Sequence, residues 1–136
     1  MKFEVHNIFE EKFSFTQEQV NRFIELTGDN NPIHYDEEFS GLTVFRKPII
    51  HGFLSSSIFS KILGIHMPGY GTIYLKQEMN FRRPMYVDMV YTCVVEILEI
   101  EKNKARLSTK ILNENNEIMI DGFAVVLNDN LLQTGN

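Results

Sequence analysis

The sequence predicts an α+β domain in which an antiparallel sheet wraps around one long central helix. Two patterns carry this expectation. Across residues 50–63, Phe53, Leu54, Ile58, Phe59, Ile62 and Leu63 occupy most of a helical circumference, with serines filling the rest. A helix that is apolar nearly all round is a buried one. Beyond it, residues 72–81, 88–100, 105–112 and 118–127 are rich in Val, Ile, Tyr, Thr and Phe, the composition of strands. The turn material between them is short: Arg83-Pro84, Glu101-Lys102-Asn103 and residues 113–116. Short connections join antiparallel strands, and a sheet with one long helix packs in two layers.

The first half reads element by element. A short strand is expected within residues 3–15. Thr16-Gln17-Glu18-Gln19 has the form of a capping box, in which the Thr16 hydroxyl takes one free N–H and Gln19 reaches back to another. Val20, Phe23, Ile24 and Thr27 follow at helical spacing, and Gly28 ends the helix as a C′ glycine. Residues 29–48 are too polar and too broken for one long element. Asn31-Pro32 favours a turn, because the residue before proline avoids helical geometry. Asp36 starts a short helical turn reaching Phe39, and Gly64 caps the central helix. The chain has no repeat and no linker. Residues 1–128 are expected to form one domain, and residues 129–136 a polar, frayed tail.

Composition narrows the function. The chain has 136 residues, 43% of them hydrophobic and 23% charged, a globular balance at the size of one domain. Its net charge of −5 argues against a nucleic-acid partner, which would need a basic face. A small anionic ligand held by a few Lys and Arg stays open. The single cysteine, Cys93, allows neither an intramolecular disulfide nor a cysteine-rich zinc site. One cysteine suits a reducing cytoplasm. Residues 1–7 lack the apolar core of a signal peptide, and no run approaches the roughly 20 apolar residues of a membrane span. His6, His34, His51 and His66 do not stand at a metal-ligand spacing, so no metal is expected.

Chemistry concentrates in Gly28-Asp29-Asn30-Asn31-Pro32-Ile33-His34. A regular helix would not align Asp29 and His34, five residues apart, but a turn at Asn31-Pro32 can bring both to one point. A carboxylate and an imidazole converging on one water form an acid–base pair. The same residues would equally serve as a turn cap and a half-buried histidine. His51-Gly52 opens the central helix, where the first N–H groups are unpaired and partly positive. A glycine there either admits a ligand carbonyl, as in an oxyanion hole, or only permits close packing.

These residues resemble a known family. Asp29 to His34 matches the G-D-x-N-P-x-H pattern of the MaoC-like dehydratases, the group containing the (R)-specific enoyl-CoA hydratases. Phe45-Arg46-Lys47-Pro48-Ile49-Ile50-His51-Gly52 resembles the family's approach to its central helix, and Phe81-Arg82-Arg83-Pro84 with Val87-Asp88 its following strand and turn. The resemblance spans nearly the whole chain and implies a hot-dog fold, with residues 29–48 overhanging one end of the helix. It implies a homodimer with sites at the subunit interface, and reversible syn hydration of trans-2-enoyl thioesters. Asp29 and His34 would activate the water, the Gly52 N–H would hold the thioester oxygen, and Asn31 would support the turn or orient the water pair. Ser60, near the carboxylate, would line the acyl pocket with Leu63; Leu63 would equally serve as plain core, in which case Val125 on the last strand would bound the pocket instead. Arg82 and Arg83, and less directly Lys76 and Lys110, would meet carrier phosphates. His51 would hold the segment before the helix. No cofactor is implied beyond coenzyme A or acyl carrier protein as the substrate's carrier. Two alternatives share the fold: an acyl-CoA thioesterase and a non-catalytic acyl-CoA binding subunit. Against the first, residues 50–63 contain no Asp or Glu; against the second, Asp29 and His34 are both present.

Overall fold

The computed structural model describes residues 2–132. Among them, five strands form one antiparallel sheet: β1 (Ile8–Phe13), β2 (Ile73–Phe81), β3 (Tyr91–Glu101), β4 (Lys104–Leu112) and β5 (Ile118–Leu127), in the order β1-β3-β4-β5-β2. The helices are α1 (Gln17–Thr27), the short α2 (Glu37–Gly41) and the central α3 (Gly52–Ile65). Alternation sets the two faces of the sheet. Cys93, Val95 and Ile97 of β3, Leu107 and Ile111 of β4, and Ala124 and Val126 of β5 face inward and form one core with Ile58, Phe59, Ile62 and Leu63 of α3. Thr109, also buried on that face, accepts a hydrogen bond from the Gln77 amide at 2.9 Å, as a buried hydroxyl requires. β2 and β5 lie close together at Gly122, where a Cβ would lie 1.7 Å from the Glu78 carbonyl oxygen.

The early elements form as their sequence suggests. The Thr16 capping box is complete, and Gly28 closes α1 at φ +78°. Asn31 caps the 3-10 turn Pro32–His34, and Asp36 caps α2.

Four expectations change. α3 runs through Gly64 to Ile65, and its last turn is closed by the His66 N–H on Ile62 O at 2.9 Å, so Gly64 is not its cap. The helix is not buried all round: Ser57, Ser60 and Lys61 lie exposed, and Phe53 is 71% exposed. β3 starts at Tyr91 because Asp88 adopts φ +62° in the preceding turn. The frayed tail does not begin at residue 129. Asn128 is buried, its amide donating to Gly69 O, Tyr70 O and Thr72 Oγ1, and Leu131 is buried in the turn Asp129–Leu131. Residues 133–136 of that tail lie outside the described residues. Among the described residues, no helix is long and apolar enough to cross a membrane.

Candidate active site

The loop between α1 and α3 has little ladder structure, so individual hydrogen bonds hold it. Ile49 N–H donates to Ile33 O at 3.1 Å, and Ile50 N–H donates to Met85 O at 2.8 Å, tying both ends of the approach to α3. The Asn31 carboxamide oxygen accepts from Ile33 N–H at 3.2 Å and so braces the turn at Pro32. The Gln17 amide reaches from α1 to His34 O at 3.2 Å. Together these bring Asp29, His34 and His51 into one cluster, with a ligand atom of each within 4.8 Å of the others.

Inside the cluster the histidine roles follow from their acceptors. His34 Nδ1 lies 2.8 Å from Ile49 O. A carbonyl can only accept, so Nδ1 carries the hydrogen and Nε2 of the neutral ring presents a lone pair. Burial, the largest influence, lowers the His34 pKa below its ordinary 6.5; the Ile49 carbonyl opposes this, His51 adds to it, and Asp29 opposes it. The ring is therefore neutral at neutral pH. His51 is 3% exposed and stacks on His34 with ring centroids 3.6 Å apart. Its Nε2 lies 3.1 Å from Asp29 O and 3.9 Å from Asp29 Oδ2. The Asp29 side chain is 53% exposed and open to solvent.

The four histidines stand at no metal-ligand spacing in the sequence, yet the fold groups two of them with Asp29. His34 and His51 are 17 residues apart, and only the folded loop stacks them. Their hydrogen bonds nevertheless employ the nitrogens otherwise. His51 Nε2 donates to a carbonyl and has no lone pair for an ion, while His34 offers Nε2 alone.

Gly52 opens α3 beside the cluster. Among the described residues, the N–H groups of Gly52, Phe53 and Leu54 meet no acceptor. The close-packing reading of this glycine has a direct contact behind it. A Cβ here would stand 2.5 Å from Phe81 Cε1, so packing requires glycine, and the free N–H faces outward from the helix start. Gly52 also lines a cavity of about 530 Å³ walled by Phe45, Ile49, Phe53, Phe81, Met85 and Ile120. Ser55 lies in its wall, and Arg82 and Arg83 stand at its edge. Asp29 and His34 are not in that wall; the cavity meets the cluster at Ile49 and Gly52.

The other expected site residues are scattered. Arg82 pairs with Asp121 at 3.1 Å and Arg83 with Glu117 at 3.3 Å, so an incoming phosphate must compete with carboxylates already in place. Lys76 lies 3.7 Å from Glu78, and Lys110 is exposed on β4. Ser60 sits on the exposed stripe of α3, while Leu63 is fully buried in the core. Val125 is corrected: it pairs with Arg106 and Lys76 on the outer face of the sheet, and Val126 is the residue turned toward α3. A one-residue offset on a strand exchanges faces.

Sequence reading passed over Gln17, the Ile49 carbonyl and Ser55. A main-chain carbonyl leaves no trace in side-chain patterns. Ser55 had a signal, since it stands four residues after His51 on a helix.

Comparison with known proteins agrees with this geometry. Residues 4–118 match the family described as MaoC like domain. The chain is 39% identical over 114 residues to an (R)-specific enoyl-CoA hydratase of Aeromonas caviae, covering 82% of this chain and 85% of that one. It is 31% identical over 132 residues to a mitochondrial 3-hydroxyacyl-[acyl-carrier-protein] dehydratase of Arabidopsis thaliana, covering 93% and 78%. The solved structure of an (R)-hydratase from A. caviae involved in PHA biosynthesis superposes with a TM-score of 0.88 at 36% identity, covering 92% of this chain and 96% of that one. A hot-dog sheet around α3, the Asp29–His34 loop at its N-terminus and these matches together make the chain a member of the MaoC-like family.

Proposed function

We propose that the chain is an (R)-specific enoyl-CoA hydratase, adding water reversibly and syn across a trans-2-enoyl thioester. The observation that carries this reading is the neutral His34 with its free Nε2 lone pair, set beside the Asp29 carboxylate and the unpaired N–H of Gly52. One water sits between the carboxylate and the imidazole. His34 Nε2 takes its proton as the oxygen bonds Cβ, and Asp29 accepts its second hydrogen and orients it. The electron pair of the double bond moves to the thioester oxygen, where Gly52 N–H meets the developing charge. Removing one such donor commonly costs about 2.7–4 kcal/mol of barrier. The imidazolium then returns its proton to Cα on the same face, so that OH and H of one water are both added.

The carrier is coenzyme A or the pantetheine arm of acyl carrier protein, and the working unit is a homodimer. In support of the dimer, β2 is an edge strand carrying half-exposed Ile73, Leu75 and Phe81, with exposed Phe53 of α3 beside Phe81 at 6.1 Å between centroids. An unpaired apolar edge of this kind suits a two-fold partner. The decisive experiment is hydration of crotonyl-CoA, followed as loss of the conjugated enoyl absorbance with chiral analysis of the product. Release of free thiol without hydration, or an (S)-product, would overturn the reading. A stable, fully active monomer in sedimentation would overturn the dimer.

A further inference from the structure

Two buried polar atoms have no hydrogen-bond partner among the described residues: Nδ1 of His51 and Oγ of Ser55. Their residues are 3% and 1% exposed. They stand four apart at the start of α3, where Ser55 N–H already donates to His51 O at 3.0 Å. Residues at this spacing are neighbours on one helix face, and helical side chains lean toward the N-terminus, so the Ser55 hydroxyl is placed to turn toward the His51 ring. The two orphans are also complementary. His51 Nε2 faces the Asp29 carbonyl oxygen at 3.1 Å and must carry the hydrogen there, which leaves Nδ1 as an acceptor. A hydroxyl is the donor such a lone pair needs, and a serine rotation between staggered wells can supply it. A buried polar atom left unpaired is unfavourable, so the pairing is favoured on both sides.

We propose that Ser55 is a positioning residue whose hydroxyl donates to His51 Nδ1 and thereby fixes the His51 tautomer. With the hydrogen held on Nε2, His51 anchors the Asp29 main chain and presents a fixed face to the stacked His34 ring. Without the Ser55 donor, His51 can place its hydrogen on Nδ1. Nε2 then turns a lone pair toward the Asp29 carbonyl, and the anchor becomes a repulsion. The effect on turnover rests on the hydratase reading of the same site; the tautomer does not.

The test uses the full-length chain labelled with ¹⁵N-histidine, as wild type, Ser55→Ala and Ser55→Thr. Long-range ¹⁵N–¹H spectra report which ring nitrogen of His51 carries hydrogen. The wild type should show the Nε2–H form, Ser55→Ala a shift toward Nδ1–H, and Ser55→Thr the wild-type pattern. In crotonyl-CoA hydration, Ser55→Ala should lower kcat about tenfold, the scale of one hydrogen bond, with KM little changed and Ser55→Thr restoring kcat. Hydrogen on Nδ1 in the wild type would overturn the proposal, whether or not any variant folds poorly. So would an unchanged tautomer in Ser55→Ala, or a raised KM at constant kcat, which would make Ser55 a substrate contact in the cavity wall. If the tautomer responds as stated while no enoyl thioester is hydrated by the wild type, the hydrogen bond stands and the hydratase reading fails.

Discussion

The strands β3 to β5 and the loop from Gly28 to His51 are held together by different means. In the sheet, every second side chain enters one apolar core, and the ladder satisfies the backbone along its length. In the loop, five residues form a short helix and three a 3-10 turn, and specific contacts hold the rest: His34 Nδ1 to Ile49 O, His51 Nε2 to Asp29 O, Gln17 to His34 O. The sheet's stability is spread over many small terms. The loop's geometry depends on a few hydrogen bonds, each with a particular donor. Changes in the sheet should therefore unfold the protein, and changes in the loop should silence it while it stays folded.

The largest effect is expected at Gly122. An alanine there would place Cβ 1.7 Å from Glu78 O and 2.7 Å from its carbonyl carbon, both main-chain atoms that cannot step aside. β2 and β5 would have to part, at or above the usual overpacking cost of about 1–3 kcal/mol. Thermal denaturation of Gly122→Ala should show a loss beyond that range, or no folded protein; a variant as stable as the wild type would contradict this account of the close approach.

Leu63 tests the seam between core and site. It is fully buried in the core between α3 and the sheet, so Leu63→Ala should cost about 2–5 kcal/mol in denaturant titration. If that void is continuous with the acyl path, kcat/KM for an enoyl chain two carbons longer should rise several-fold relative to crotonyl, given about 0.8 kcal/mol per buried methylene. Destabilisation with an unchanged chain-length profile would assign Leu63 to the sheet's core alone.

The loop should behave in the opposite way. Asp29→Asn and His34→Gln should each lower kcat by at least about 100-fold while leaving the melting temperature within a few degrees. If both residues act on one water, the double variant should lose far less than the product of the two. Near wild-type hydration by either single variant would remove that residue from the chemistry.

The same contrast explains what was legible in the sequence. Alternation and helical spacing report burial, so β2 to β5 emerged within three residues of their bounds, and the capping residues Thr16, Gly28 and Asp36 were visible because each performs a local task. Asp29 and His34 were legible through their motif. Periodicity could not show that His51 stacks on His34, because a loop with no repeating pattern makes that contact. Nor could it show that Phe53 stays exposed, since an apolar residue on the open side of a helix fits the same spacing as a core residue. Val125 was misread for the sheet's own reason: period two makes an error of one residue an error of face.

The smallest and most specific effect is that of pH, and it separates loop from sheet without any substitution. Burial holds the His34 pKa below 6.5, so its Nε2 lone pair is available at neutral pH and is lost only on acidification. kcat/KM should be level from neutrality downward until pH approaches the lowered His34 value, then fall about tenfold per unit as the base is protonated. The sign for stability is the same. A group whose folded pKa is depressed contributes stability that is fully present above its unfolded value and is lost as pH falls through the folded one. Activity and the His34 share of stability should therefore decline together in one window below pH 6.5. In His34→Gln, the acid-side loss of stability in that window should shrink while the melting behaviour of the sheet at neutral pH stays the same. An activity limb centred above 6.5 in the wild type would mean that the loop stabilises the protonated ring, and that His34 is not the base.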